Sequence, residues 1–100
     1  MRLVLTRLAR SDLRRIFEYI AADSPSRAQV FIERVWDRLE LLAAHPHMGR
    51  PRPEFGPDVR SFPVRPIVVF YRAREDRGQT QILRIIDGRR DLGTVFAEDP

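Results

Sequence analysis

The chain has 100 residues, 43% apolar and 32% charged, the composition of one globular domain over residues 1–100 with one hydrophobic core. It has no cysteine, which excludes disulfides, thiolate metal sites and cysteine nucleophiles and suits a reducing cytosol. All 18 basic residues, against 14 acids, are arginine. Their scatter through every segment fits codon bias, while the guanidinium fork favours an acidic partner, either nucleic acid or a negative protein surface.

Met1-Arg2-Leu3-Val4-Leu5-Thr6 is followed at once by Arg7 and Arg10, which does not make a signal peptide. No apolar run approaches the ~18 residues of a membrane span. The expected location is the cytoplasm, with no membrane partner. Leu3 to Leu5 reads as an opening strand that ends at Thr6, a helix N-cap. Ala9, Leu13, Ile16, Phe17 and Ile20 then follow a helical period, with Arg10, Asp12, Arg14, Arg15 and Glu18 on the wet side and a stop at Ala22-Asp23. Ser24-Pro25 starts a second helix, since Ser caps the open first turn and Pro at the first position loses no helical bond. Ala28, Phe31, Ile32, Val35, Leu39, Leu42 and Ala43 form its apolar stripe. The short linker predicts an antiparallel hairpin, with Trp36 packed at its apolar edge.

Residues 45–58 carry four prolines and two glycines, which forbid a helix or a central strand and predict a long crossover loop. Val59 to Val64 alternates, and residues 67–71 and 82–86 are apolar runs on either side of the turn Glu75-Asp76-Arg77-Gly78. The pattern is β-α-α-β-β-β, an α+β fold in which a helical hairpin covers one face of an antiparallel sheet. Tight turns at Val64-Arg65 and Asp76-Arg77 would set Arg60 beside Phe70, Phe70 opposite Arg84 and Arg72 opposite Ile82. Ile67, Val69, Tyr71, Leu83 and Ile85 would then face the helices. Arg60, Phe62, Val68, Phe70, Arg72, Ile82, Arg84 and Ile86 would form an open face, where arginines interleaved with aromatics suit an anionic or amphipathic partner.

Ser11, Ser24 and Ser61 have no neighbouring His, no Gly-rich phosphate loop is present, and His45 and His47 lack a third ligand in sequence. No cofactor and no metal are implied. The stretches Ala9 to Ile20, Ser24-Pro25, Pro46-His47-Met48-Gly49-Arg50-Pro51-Arg52-Pro53-Glu54, Arg60-Ser61-Phe62-Pro63-Val64, Phe70-Tyr71-Arg72 and Gly88-Arg89-Arg90-Asp91 resemble the ParE toxins of the RelE/ParE superfamily. These are plasmid-stabilisation toxins of type II toxin-antitoxin systems, and the resemblance runs in order over nearly the whole chain.

The resemblance implies a toxin neutralised by a ParD-like antitoxin, whose C-terminal segment, expected to be acidic and amphipathic, wraps the toxin and whose other half binds operator DNA. ParE-type members poison DNA gyrase without being enzymes, whereas RelE-type members cleave mRNA on the ribosome. Metal-free RNA cleavage needs a proton acceptor and a proton donor, roles that a permanently charged arginine does not fill. By resemblance the ribonuclease tyrosine falls on Phe96, its central-strand arginine on Val68, and its lysine pair has at best Arg60. Glu54 or His45 remain as bases for the enzymatic alternative. A plain nucleic-acid binder ranks last, because neither helix reads as a basic stripe free of acids. The expected partner-binding residues are Arg60, Phe62, Phe70, Arg72, Arg84, Arg89 and Arg90, with no catalytic residue. A structural role for Arg60 and Arg84, tied to Asp87 or Asp91, is the competing expectation.

Overall fold

The computed structural model describes residues 1–90 and 92–97, so Asp91 lies outside it. Strand β1 (Arg2–Leu5) gives way to helix α1 (Arg7–Asp23) at Thr6. The Thr6 hydroxyl accepts the Ala9 N–H at 3.1 Å and donates to the Leu83 carbonyl at 3.0 Å, so one side chain caps the helix and ties it to the sheet. Ser24 is shared between two helices. Its N–H donates to the Ile20 carbonyl at the end of α1, and its hydroxyl accepts the Arg27 N–H at the start of α2 (Pro25–Ala44). With one residue between them, the helices fold back on each other as expected.

The sheet has five strands: β1, β2 (Arg50–Pro51), β3 (Val59–Val64), β4 (Ile67–Arg74) and β5 (Gln79–Asp87), in the spatial order β1-β5-β4-β3-β2. The meander β3-β4-β5 is antiparallel, and β1 lies parallel to β5 at one edge. The proline-rich segment contributes β2, two residues long and at the other edge, where a missing proline N–H breaks no ladder. A short helix α3 (Leu92–Ala97), which no apolar period announces, closes the described chain.

Two details of register change the faces. Val64 pairs with Ile67, so the β3-β4 turn is Arg65-Pro66, Arg60 faces Tyr71, and Ser61 rather than Arg60 faces Phe70. Phe70 does face Arg84, but a bulge between Phe70 and Tyr71 sets Tyr71 opposite Ile82, so Arg72 faces Gln81 instead of Ile82. A one-residue slip moves a side chain to the other face. Ile67, Val69, Tyr71 and Ile85 pack under the helices as expected, against Ala9, Leu13, Phe31, Val35, Leu39 and Leu42. Ile82 and Phe62 join them there, and Leu83 moves to the far face.

That far face is not open. Phe55, from the 3₁₀ turn Pro53–Phe55, and Leu92 and Phe96 of α3 cover Val59, Phe70 and Ile86. Phe55, Phe70 and Phe96 form a triangle of rings with centroids 5.0–5.1 Å apart. The Arg52 guanidinium lies over the Phe55 and Phe70 rings at 4.9 and 5.6 Å, within reach of cation–π attraction. The loop is also pinned on the helix side of the sheet, where the buried Tyr71 hydroxyl accepts the Gly49 N–H at 2.7 Å. A Cβ on Gly49 would stand 2.6 Å from the Tyr71 ring and 2.8 Å from the Ser61 carbonyl, so a side chain there would force the loop off the sheet.

Asp12, placed on the wet side of α1 by its period, is instead 5% exposed. Its carboxylate takes the Ile85 N–H at 3.0 Å and both Nε and Nη2 of Arg84, at 2.8 and 3.0 Å. Removing one partner of a buried pair leaves the other charge desolvated, at a cost of about 3–5 kcal/mol. Asp12→Ala is therefore expected to lower unfolding free energy by about that amount in urea titration, and a loss under about 1 kcal/mol would mean that Arg84 finds equivalent partners.

Candidate functional site

The seven residues expected to meet a partner fall into three groups. Phe70 and Arg84 are buried, Phe70 within the ring triangle and Arg84 against Asp12, with a further bond from its Nη1 to the Phe96 carbonyl at 3.4 Å. They hold the sheet to α1 and α3. The competing expectation of a structural Arg84 is met, but through Asp12 rather than Asp87. Arg60, Phe62 and Arg72 are half-buried. Arg60 Nη1 donates to the carbonyls of His47 and Gly49 at 3.2 and 2.8 Å, so it too fastens the loop to the sheet. Arg72 Nε is buried and has no hydrogen-bond partner among the described residues.

Arg89 and Arg90 are exposed at the end of β5. Arg89 grips Asp87 with Nε and Nη2 at 3.0 and 2.7 Å, and its own N–H also donates to that carboxylate. These bonds hold the Asp87 carboxyl down to about 2, well below the usual carboxylate range, and raise the Arg89 guanidinium correspondingly.

The groups expected of a ribonuclease are placed as follows. Phe96, at the tyrosine position, packs its ring on Phe55 and Phe70. The Tyr71 hydroxyl is buried, and burial raises its pKa. His45, one of the two candidate bases, is exposed at the C-cap of α2, His47 pairs with Glu75 at 2.8 Å across the surface, and Glu54 is held by its own backbone N–H and by Arg52 at 3.1 Å, which keep its pKa low. No group of three His, Cys, Asp or Glu able to hold a metal occurs among the described residues. No described helix is long and apolar enough to cross a membrane.

A concavity lies elsewhere, where β1 meets the helical hairpin. It is a cleft of about 870 Å³ floored by Leu3, Leu5, Leu13, Phe17 and Ile32. Trp36, expected to be packed, stands 40% exposed at its side. Arg2, Arg10 and Arg14 line the same cleft and make no side-chain hydrogen bond or ion pair with the described residues. The outer edge of β1 has no strand beside it among the described residues. An apolar floor, one aromatic anchor, a free strand edge and three unmatched cations suit an acidic, amphipathic segment of another chain. Sequence periodicity gave no sign of this cleft, since Arg2 and Trp36 come together only through the parallel pairing of β1 with β5.

Comparison with known proteins identifies the family. Residues 3–92 match the family model of the ParE toxin of type II toxin-antitoxin system, parDE. The chain is 34% identical over 98 residues to Toxin ParE3 of Caulobacter vibrioides, across 97% of this chain and 96% of that protein. A solved structure titled Chromosomal ParDE TA system from P. aeruginosa matches with a TM-score of 0.71 and 29% identity, covering 87% of this chain and 95% of that one. The chain therefore belongs to the ParE toxin family of type II toxin-antitoxin systems.

Proposed function

We propose that this ParE-like toxin is held inactive by a ParD-like antitoxin whose acidic segment lies in the β1–hairpin cleft, and that the released toxin acts on DNA gyrase without catalysing a reaction itself. The cleft carries the first half of the reading. Its cations are unmatched within the described chain, and carboxylates of a partner would pair with them bidentately over an apolar floor. The solved relative is titled as a ParDE system, which supports an antitoxin as the occupant. Arg89 and Arg90 remain accessible to a partner, whereas Arg60, Phe62, Phe70 and Arg84 are given to the toxin's own packing and loop contacts, and Arg72 is half-buried.

The reading without chemistry is supported by the position of Phe96, which has no hydroxyl and whose ring is part of a packed triangle. It is also supported by Arg84, the buried arginine nearest that ring, whose fork is taken by Asp12 rather than offered to a phosphate. General acid–base catalysis needs a group that can gain and lose a proton near neutral pH, and arginine does not.

Conditional expression in bacteria tests the target. Gyrase poisoning is expected to give filaments, a DNA-damage response and trapped cleavage complexes before protein synthesis falls. Arrest of translation first, with intact supercoiling, would overturn it. The cleft is tested separately by Trp36→Ala. Because Trp36 is partly exposed, its removal should cost the free toxin less than the roughly 3–5 kcal/mol of a buried aromatic. Antitoxin binding in calorimetric titration should weaken by about 2 kcal/mol, as for an interface anchor. Unchanged affinity would move the antitoxin off the cleft.

A further inference from the structure

Withdrawal of Asp12 into the sheet edge changes the charge pattern of α1. Arg7, Arg10, Arg14 and Arg15 are all exposed on the first half of the helix, and Asp12, the one acid among them, is buried against Arg84. The next acid is Glu18, a full turn past Arg14. Arg7, Arg10 and Arg14 have no side-chain partner among the described residues, and Arg15 reaches only the Ser11 hydroxyl at 3.5 Å. The first half of the helix, which reads as mixed in charge, is on its outer face a strip of arginine.

Folding does not explain the strip. The N-terminal end of a helix carries the positive end of its macrodipole and favours acids, yet the first turn of α1 has none and begins with Arg7. Arg10 and Arg14 sit four residues apart, where like charges repel. A feature that opposes the stability of its own helix and has so few partners within the chain marks a surface made for something outside it.

We propose that this strip binds the phosphate backbone of duplex DNA without regard to sequence. Within its length the other polar group is the half-buried Ser11, Arg7 and Arg15 stand outside the cleft that holds Trp36, and phosphate contacts need no apolar area. At 1.5 Å of rise per residue, Arg7 and Arg14 are about 10 Å apart along the helix, enough to reach more than one phosphate of a strand. The major groove of B-form DNA, about 12 Å wide, admits a helix, while that of an RNA duplex is too deep and narrow. The guanidinium fork matches phosphate oxygens in pairs. Arg10 and Arg14 also line the cleft, but Arg7 and Arg15 do not, so the strip can be probed without touching the proposed antitoxin site. The inference does not depend on gyrase as the target.

The test is fluorescence anisotropy of the purified toxin with a labelled random-sequence duplex of about 20 base pairs, between roughly 50 and 200 mM salt. For Arg7→Gln/Arg15→Gln, affinity is expected to fall about tenfold or more, and the slope of log affinity against log salt to become shallower by about 2, near 0.9 for each lost phosphate contact. Thermal denaturation should show the variant melting no lower than the parent, because the strip opposes its helix. Arg65→Gln/Arg77→Gln removes the same charge from two exposed arginines elsewhere and should keep the parental slope. An equal loss in that control, an unchanged slope in the strip variant, or tenfold tighter binding of an RNA hairpin or a polyglutamate peptide than of the duplex would overturn the proposal.

Discussion

The ion pair between Asp12 and Arg84 sets the orientation of everything around it. Strand β5 is nine residues long and its parallel neighbour β1 only four, so the ladder between them ends at Leu5 and Ile82. Beyond that point the edge of β5 would be bare, and the Asp12 carboxylate takes the place of the missing strand by accepting the Ile85 N–H. The same carboxylate holds the Arg84 guanidinium, which in turn reaches the Phe96 carbonyl. Helix α1, strand β5 and helix α3 thus meet at one charged centre. Such a pair adds little net stability over an apolar substitute, but it accepts only one arrangement of its surroundings. With Asp12 turned to β5, Ala9 and Leu13 fall under the sheet and Arg7, Arg10 and Arg14 fall outside.

The two faces of the sheet are closed by different means. Under the hairpin, aliphatic side chains from two long helices fill the space with little polar content. On the other face, the proline-rich loop and a short helix do the same with two phenyl rings packed on Phe70 of the sheet and one stacked guanidinium. Rings bury much area per residue, which lets so few residues cover a sheet. The consequence is that the faces of the sheet are used up by packing, and exposed arginines stand on the helices, on β1 and at the end of β5.

Features set by neighbours in the chain were legible in the sequence. Thr6, Ser24 and Pro25 mark their helix ends because a cap acts over three residues, and the β4-β5 turn declares itself in Glu75 to Gly78. Features set by distant partners were not. Asp12 meets Arg84 across 72 residues of sequence, and no helical period can reveal that it is withdrawn from water. The bulge at Phe70 and Tyr71 and the turn at Arg65-Pro66 each displace the register by one, enough to send Phe62, Ile82 and Leu83 to unexpected faces. The open arginine face was lost for the same reason, together with the arrival of α3, whose six residues are too few to show a period. The cleft needed the position of β1, which depends on a pairing between the first strand and the last.

Trp36 is the one tryptophan of the chain, and it stands half-exposed beside the cleft rather than in either core. The indole emission of the folded toxin therefore comes from a single, partly hydrated ring. Unfolding exposes the rest of that ring, so emission moves to longer wavelength when the chain melts. Coverage of the cleft removes water from the same ring and moves emission to shorter wavelength. The molecule carries its own optical gauge, in which loss of the fold and coverage of the cleft move emission in opposite directions.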